Sequence, residues 1–320
     1  MRSAEREGLA RNNILSMLLN ASKEAERISP ITGEQNKNSL SDQEIMGNIF
    51  IFTSAGFDST ANTLAYALVY LVQNPRYQDW LFEEVDALIP SGSDEPLEYT
   101  NIFPKAIRCL SLMLETLRLH PPLVHLGKMT EAPQFVRTST SDIEIPTGAT
   151  IYINSVVVHL DPGVWRNLNR NESEPVSDKD DGDIPDECKF RPSRWIINPT
   201  DTENTQPKLF QPPKGTFIPW SSGPRVCPGQ KMAQVEFVAI FLVLLRDYRL
   251  EAMKLVIRDA SGEEREETDD ELRERIVRLV NKSVSKVTQE MDVYNIADGE
   301  HSRGLGFRLI RRHATGTQAT

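Results

Sequence analysis

Apolar and polar positions alternate along this chain with changing periods, and each change marks an element. Ile14, Leu15, Met17, Leu18 and Leu19 recur at helical spacing, which predicts a short amphipathic helix over residues 12–21. A polar stretch follows to Asn38. Then Leu40-Ser41-Asp42-Gln43-Glu44-Ile45 carries a capping box, Ser41 with Glu44, which Leu40 and Ile45 would flank as a hydrophobic staple. The helix opened there runs to Asn74, where Pro75 stops it, a length of roughly 50 Å at about 1.5 Å per residue. Ile45, Ile49, Phe50, Phe52, Leu64, Leu68, Leu71 and Val72 make it apolar over much of its surface, so it is expected to have neighbours on every side.

Shorter elements follow. A second helix is predicted over residues 77–89 and a third over 104–119, the latter ended by Pro121 and Pro122. Residues 143–145 and 149–153 alternate around Pro146-Thr-Gly148, the pattern of a β-hairpin. Residues 172–187 are acidic and poor in apolar side chains, which predicts a mobile loop. Val235 to Leu245 is a buried helix. After acidic residues 259–270, a second capping box, Thr268 with Glu271, leads into Leu272, Ile276, Leu279, Val280 and Val287 at helical spacing. Leu305, Phe307 and Leu309 alternate and predict a final strand. No segment repeats. The fold class is mainly α with small β-sheets.

Composition narrows the function. The chain has 320 residues, 39% of them hydrophobic, enough for a sizeable core in one or two domains. A net charge of −10 makes nucleic acid a poor partner, since that binding depends on neutralising phosphates. No apolar run is long enough to cross a bilayer and Met1-Arg-Ser-Ala-Glu-Arg-Glu is not a signal peptide, so the chain as given is expected to be soluble. Cys109, Cys188 and Cys227 are scattered and odd in number, fitting neither a disulfide framework nor a zinc site. Cys109 lies in an apolar helical pattern and reads as core, Cys188 in a polar loop as a bystander. His120, His125 and His159 sit in proline-rich or apolar turns without paired metal-ligand spacing.

Cys227 is different. It stands in Phe217-Ile-Pro-Trp-Ser-Ser-Gly-Pro-Arg-Val-Cys-Pro-Gly229, just before the apolar run. The thiolate is the metal-binding form of cysteine, and cations and helix N-termini favour it. Arg225 supplies the cation, and a helix opening at Pro228-Gly229-Gln230 would aim unpaired N–H groups at the sulfur. This predicts a buried thiolate ligand; a free buried cysteine in a Gly/Pro turn satisfies the same local string. Two further segments stand out. Ala55-Gly56-Phe57-Asp58-Ser59-Thr60 places poor helix formers mid-helix, which predicts a widened or kinked turn. It is either a close helix crossing or a groove for a small ligand with an acid and a hydroxyl to deliver protons. Glu115 and Arg118 share one face of the third helix.

Trp220-x-x-Gly223-x-Arg225-x-Cys227-x-Gly229 resembles the haem-binding signature of the cytochrome P450 monooxygenases, with flanks most like the fungal members and Trp220 where the family usually has Phe. Residues 55–60 resemble the family's oxygen-binding motif, with Ser59 where Thr is usual. Glu115-Thr-Leu-Arg118, followed by Leu119-His120-Pro121-Pro122, resembles its Glu-x-x-Arg helix, and Phe190-Arg-Pro192-Ser-Arg194-Trp195 the later element whose arginine joins that pair. His159-Leu-Asp161-Pro162-Gly-Val-Trp165 resembles a structural turn of the family. These motifs stand in the family's order and span about residues 12–250 and the last strand.

The resemblance implies the C-terminal portion of the P450 fold as a single domain. Residues 1–40 would be the remnant of a preceding helix and loop, 41–320 the haem-binding part, and 259–300 an insertion. It implies haem with Cys227 as the axial iron ligand. Arg225 and Lys128 would meet its propionates, and Trp220, Gly223, Gly229, Ala55 and Gly56 would line it. Asp58, Ser59 and Thr60 would deliver protons, and Glu115, Arg118 and Arg194 would form a buried bracing triad. One atom of O₂ would enter a small organic substrate. No Gly-rich dinucleotide loop follows a strand, so electrons would come from an NADPH-dependent reductase. Lys189, Arg191, Arg194, Lys208, Lys214, Arg225 and Lys231 would attract it as a basic patch. A full-length relative would be anchored at the endoplasmic reticulum. The alternative is a truncated, haem-poor and inactive remnant lacking the N-terminal part of the fold.

Overall fold

The computed structural model describes residues 13–32, 40–89, 97–169, 184–198, 206–258, 262–286, 288–291 and 305–312. Helix α1 (Ile14–Thr32) opens where Asn13 Oδ1 accepts the Ser16 N–H at 2.9 Å. It continues well past residue 21, because Lys23 and Glu24 are good helix formers that apolar periodicity does not register. Helix α2 (Asp42–Gln73) begins at its expected capping box: the Ser41 N–H donates to Glu44 Oε2 at 2.8 Å, and the Glu44 N–H to Ser41 Oγ at 3.3 Å. The expected widening at residues 55–60 is not there; α2 is α-helical throughout. On either side of the segment Thr53 Oγ1 donates to the Ile49 carbonyl and Thr63 Oγ1 to that of Ser59. Compact units divide inside α2, after Asp58.

Helix α3 (Pro75–Leu88) starts with proline at its first position, where no N–H is needed. Helix α4 (Tyr99–Ile102) and a 3-10 turn over Phe103–Lys105 precede helix α5 (Ile107–Leu119), so the third predicted helix begins three residues late, after a break at Ala106. Glu84 of α3 caps α5, taking the N–H groups of Arg108 at 2.7 Å and Cys109 at 2.9 Å.

Four strands come next: β1 (His125–Met129), β2 (Gln134–Arg137), β3 (Asp142–Ile145) and β4 (Thr150–Asn154). The hairpin expected between β3 and β4 does not form. β4 pairs antiparallel with β1, and β3 with β2. The Pro146-Thr-Gly148 turn is present, with Gly148 at φ +78°, but it binds Thr130: the Gly148 N–H donates to the Thr130 carbonyl, and Thr130 Oγ1 to that of Pro146. Local turn chemistry made a turn and left the partners of its arms open.

Helices α6 (Ser155–His159) and α7 (Pro162–Trp165) are short, each with a side-chain cap, from Asn154 and Asp161. Residues 172–183 of the expected mobile loop lie outside the described residues, but Asp186 and Glu187 do not: they sit in a 3-10 turn over Asp186–Cys188. A second such turn, Pro192–Trp195, leads to β5 (Ile196–Ile197), which pairs with β6 (Lys208–Leu209). Helix α8 (Gln230–Asp247) runs directly into β7 (Tyr248–Ala252). Then come β8 (Val256–Arg258), β9 (Glu264–Glu266), α9 (Asp269–Asn281), β10 (Ser283–Ser285), β11 (Gln289–Met291) and β12 (Phe307–Arg311). The expected box opens α9, which ends at Asn281, short of Val287, a position outside the described residues. β8 pairs with β9, β10 with β11 and β7 with β12, the last as the final strand predicted.

The core of the larger unit is built around α5. Every residue from Cys109 to Arg118 is buried. Leu112, Met113 and Leu117 pack in one cluster with Leu71, Leu81, Phe241, Leu245, Trp165 and Trp195. Cys109 is core, as expected, and Cys188 is exposed. A helix enclosed on all sides must satisfy its polar side chains internally, and that requirement builds the site.

Candidate cofactor site and its ionic support

Glu115 and Arg118 lie one turn apart on α5, both side chains 0% exposed. Arg118 donates from Nε and NH2 to the two carboxylate oxygens at 2.8 and 2.9 Å. Arg194 Nε adds a bond at 2.9 Å, Trp195 Nε1 one at 3.0 Å and the Arg191 backbone N–H one at 2.8 Å. Burial alone would push the Glu115 carboxyl up; the Arg118 and Arg194 charges outweigh it and hold it at about 2. The remaining guanidinium donors reach backbone carbonyls: Arg118 those of His159, Glu187 and Lys189, and Arg194 those of Trp165 and Asp186. The triad thus ties α5 to α6, α7 and residues 186–195. A buried charge cluster is tolerated only when its members are paired and hydrogen-bonded in this way.

The network is larger than the triad. Asp186 Oδ2 takes Arg191 NH2 at 3.2 Å, and the Glu187 carboxylate takes Arg166 in a two-pronged pair that holds Glu187 down at about 2. Sequence reasoning placed Asp186 and Glu187 in a mobile loop and Arg191 in a basic patch, with Arg194 both in that patch and in the buried triad. Arg191 and Arg194 are buried, since each spends its charge on this network. Of the proposed patch Lys208, Lys214, Arg225 and Lys231 are exposed, and Lys189 is half-buried.

The network leads to the cysteine loop. Phe217 packs its ring 4.7 Å from Trp195, and Ile218 and Pro219 are buried. The Ile218 N–H donates to His159 Nε2 at 2.8 Å. Two turns follow, with Ser221 at φ +65° and Gly223 at φ +82°. They return the chain so that the Cys227 N–H donates to the Trp220 carbonyl at 2.9 Å. Gly229 then caps α8, and the Ala233 N–H bonds back to its carbonyl. Cys227 is exposed, not buried as expected. The loop hydrogen-bonds to its own backbone while Trp220 packs against the core, and Arg225, Val226 and Cys227 are left exposed in turn. A cleft of about 420 Å³ adjoins the loop, with Trp195, Phe210, Phe217 and Trp220 in its wall and Lys214 and Lys231 among its polar residues.

The donor set defines what this site fits. Among the described residues no three His, Cys, Asp or Glu side chains gather as a ligand cluster. One accessible cysteine sulfur suits a metal that arrives with its other ligands already in place, as iron does in haem. Exposed Val226 between Arg225 and Cys227 suits an apolar group with acidic edges. Of the other residues singled out in the sequence, Lys128 is exposed on β1 opposite Ile151. On α2, Ala55, Gly56 and Asp58 are exposed and Ser59 and Thr60 half-buried. His120 stacks on Tyr66 with centroids 4.0 Å apart and meets Tyr70 OH through Nε2 at 2.8 Å. Burial, with Arg118 nearby, pushes its pKa down to about 3 and that of His159 to about 4, so both rings are neutral hydrogen-bonding groups.

The family model described as Cytochrome P450 matches residues 2–170 and 185–264, and the chain belongs to that family. The chain is 46% identical over 227 residues to the phomenoic acid biosynthesis cluster cytochrome P450 monooxygenase of Leptosphaeria maculans, across 70% of this chain and 38% of that protein. A cytochrome P450 monooxygenase of Arthrobotrys oligospora is 30% identical over 238 residues, 69% of this chain and 37% of its own. The crystal structure of a cytochrome P450, CYP102L1, superposes with a TM-score of 0.58 at 18% identity, over 92% of this chain and 55% of the other, and so shares the fold. The chain therefore spans less than two fifths of the length of these two fungal relatives. Among the described residues no helix is long and apolar enough to cross a membrane.

Proposed function

We propose that this chain carries the haem-ligating part of a monooxygenase, with Cys227 as the axial iron ligand. The observation that carries this reading is the Cys227 loop, an accessible thiol whose backbone is pinned to Trp220 and backed by the buried Glu115 network. When bound, a haem held by a thiolate supplies oxygen activation, because the sulfur donates electron density that favours O–O cleavage. The chain's own residues have separate tasks. Trp220 would pack beside the group on the sulfur side, Gly223 and Gly229 would shape the loop, and Arg225 and Lys128 would pair with its carboxylates. On α2, Ala55 and Gly56 leave room, while Asp58, Ser59 and Thr60 hold and pass protons. Glu115, Arg118 and Arg194 brace the loop without touching reactants.

In this reading one oxygen atom enters a small organic substrate and the other leaves as water. Electrons come from an NADPH-dependent reductase, and exposed Lys208, Lys214, Arg225 and Lys231 offer its acidic surface a basic approach in a chain of net charge −10. The test is direct. Reconstitute the chain with haem, reduce it and add carbon monoxide. The unsubstituted chain, Cys109→Ala and Cys188→Ala give a thiolate-type Soret band, and Cys227→Ala gives none. A thiolate band that survives in Cys227→Ala overturns the assignment.

A further inference from the structure

We propose that His159 is the positioning residue of the Cys227 loop, its neutral imidazole serving as the backbone acceptor that sets where the sulfur stands. The inference rests on the haem-thiolate reading for its purpose but on local geometry for its content. Pro219 has no N–H, so the Ile218 N–H is the last donor on the loop before Trp220. It goes to His159 Nε2 at 2.8 Å rather than to any backbone carbonyl. The carbonyl of the same Ile218 takes the Ser221 N–H at 3.0 Å, closing the first turn, and the carbonyl of Trp220 takes the Cys227 N–H at 2.9 Å. A displacement of Ile218 is therefore handed through one turn to the cysteine.

His159 is itself held firmly. Its carbonyl takes Arg118 NH1 at 3.1 Å, and its ring leans on Phe217 with centroids 5.1 Å apart. Its side chain is fully enclosed. Accepting at Nε2 puts the ring proton on Nδ1, and a doubly protonated ring has no lone pair for Ile218. Burial and the Arg118 charge both disfavour that protonated form. The route from the ionic network to the thiol thus runs Glu115, Arg118, His159, Ile218, Trp220, Cys227.

The test compares His159→Phe, which keeps a ring but no acceptor, with His159→Gln, whose amide oxygen can accept. Amide hydrogen exchange is followed on the full chain, and the ferrous carbon monoxide spectrum on the haem-reconstituted form. In His159→Phe the Ile218 and Cys227 amides exchange about tenfold faster, as expected for one lost hydrogen bond, while the amides of α5 and α8 keep their protection. Part of the thiolate-type band is lost, and His159→Gln restores both readouts. Unchanged exchange at Ile218 and Cys227, equal loosening across α5 and α8, or a Gln variant no better than Phe overturns the proposal. Should the Phe variant fail to fold, a scalar coupling across Ile218 N–H and His159 Nε2 in the unsubstituted chain decides the matter, and its absence overturns the proposal. A chain with no thiolate band at all removes the haem reading, and the exchange comparison still decides whether His159 holds the loop.

Discussion

Replacing Glu115 by alanine tests the ionic support most severely. The carboxylate accepts five hydrogen bonds, two from Arg118 and one each from Arg194, Trp195 and the Arg191 backbone. Alanine removes both acceptor oxygens, and with them all five bonds, and leaves two fully buried guanidinium groups with no opposite charge from Glu115. Arg194 keeps Asp186 only at 3.4 Å, and Arg118 keeps only carbonyls. Breaking a buried pair from one side costs about 3–5 kcal/mol, and the stranded charges set that figure more than the five hydrogen bonds removed. With about 2 cal/mol/K of unfolding entropy per residue, each kcal/mol moves the midpoint of a chain this size by roughly 1.5 °C. The expected fall in Tm is about 5–8 °C. Circular dichroism of the haem-free chain measures it without reference to turnover. Replacing Glu115, Arg118 and Arg194 together by apolar residues of similar volume should recover much of the loss, because no stranded charge remains. A Glu115→Ala chain within about 1 kcal/mol of the parent, or a triple variant no better than the single one, would refute the reasoning.

Two further outcomes follow from the loop and the buried rings. Gly223, at φ +82° with open space around it, should cost about 1–2 kcal/mol when changed to alanine, whereas Gly229→Ala, at φ −85° with Cys227 Sγ 3.8 Å from the added carbon, should leave Tm near the parent value; equal losses would show that backbone handedness is not what selects Gly223. His120 and His159 are held neutral by burial and by Arg118, with pKa values lowered from 6.5 to about 3 and about 4, so the unfolded chain takes up protons first. Stability should therefore fall as pH drops below about 6.5, by up to about 2.7 kcal/mol per pH unit for two rings, with Glu115 adding to the loss below about 4.5. Urea midpoints that stay level from neutrality to the acid side of that window would rule this out.

What could be read from the chain depended on how far each interaction reaches. Ser41 with Glu44 and Thr268 with Glu271 span one helical turn, so their spacing alone located the starts of α2 and α9. The spacing of Glu115 and Arg118 put both on one face of a helix, but that the pair is buried, and that Arg194 joins it, came from the resemblance. Arg166 with Glu187 and Arg191 with Asp186 were not legible, since no local period relates them and an acidic run looks the same whether solvated or paired. The arms of the Pro146-Thr-Gly148 turn were misassigned because their partners, β2 and β1, are chosen by tertiary pairing. His159 gave no metal-ligand spacing, and its role as an acceptor for Ile218 emerges only once α6 meets the loop. The exposure of Cys227 was invisible for a related reason: an apolar run downstream says where α8 is buried and nothing about the loop before it.

The pairing of β7 with β12 sets Ala252 opposite Phe307 and joins the Met253 N–H to the Gly306 carbonyl at 2.8 Å, so residues 253–306 leave and re-enter the fold at one point. The entropy of closing such an excursion grows only with the logarithm of its length, about 0.6 kcal/mol for each doubling. Once the strand pair is made, residues can be added to or removed from the excursion at little thermodynamic cost, provided that Ile276 and Val280 of α9 keep their seat beside Val69 and Tyr70 and that Ser283, Thr288 and Gln289 keep their bonds to Tyr66, Asn62 and Pro122. The neck at β7 and β12 therefore confines length variation to one side of the molecule's connectivity. Helix α8 and the cysteine loop ahead of it keep their register whatever the excursion becomes.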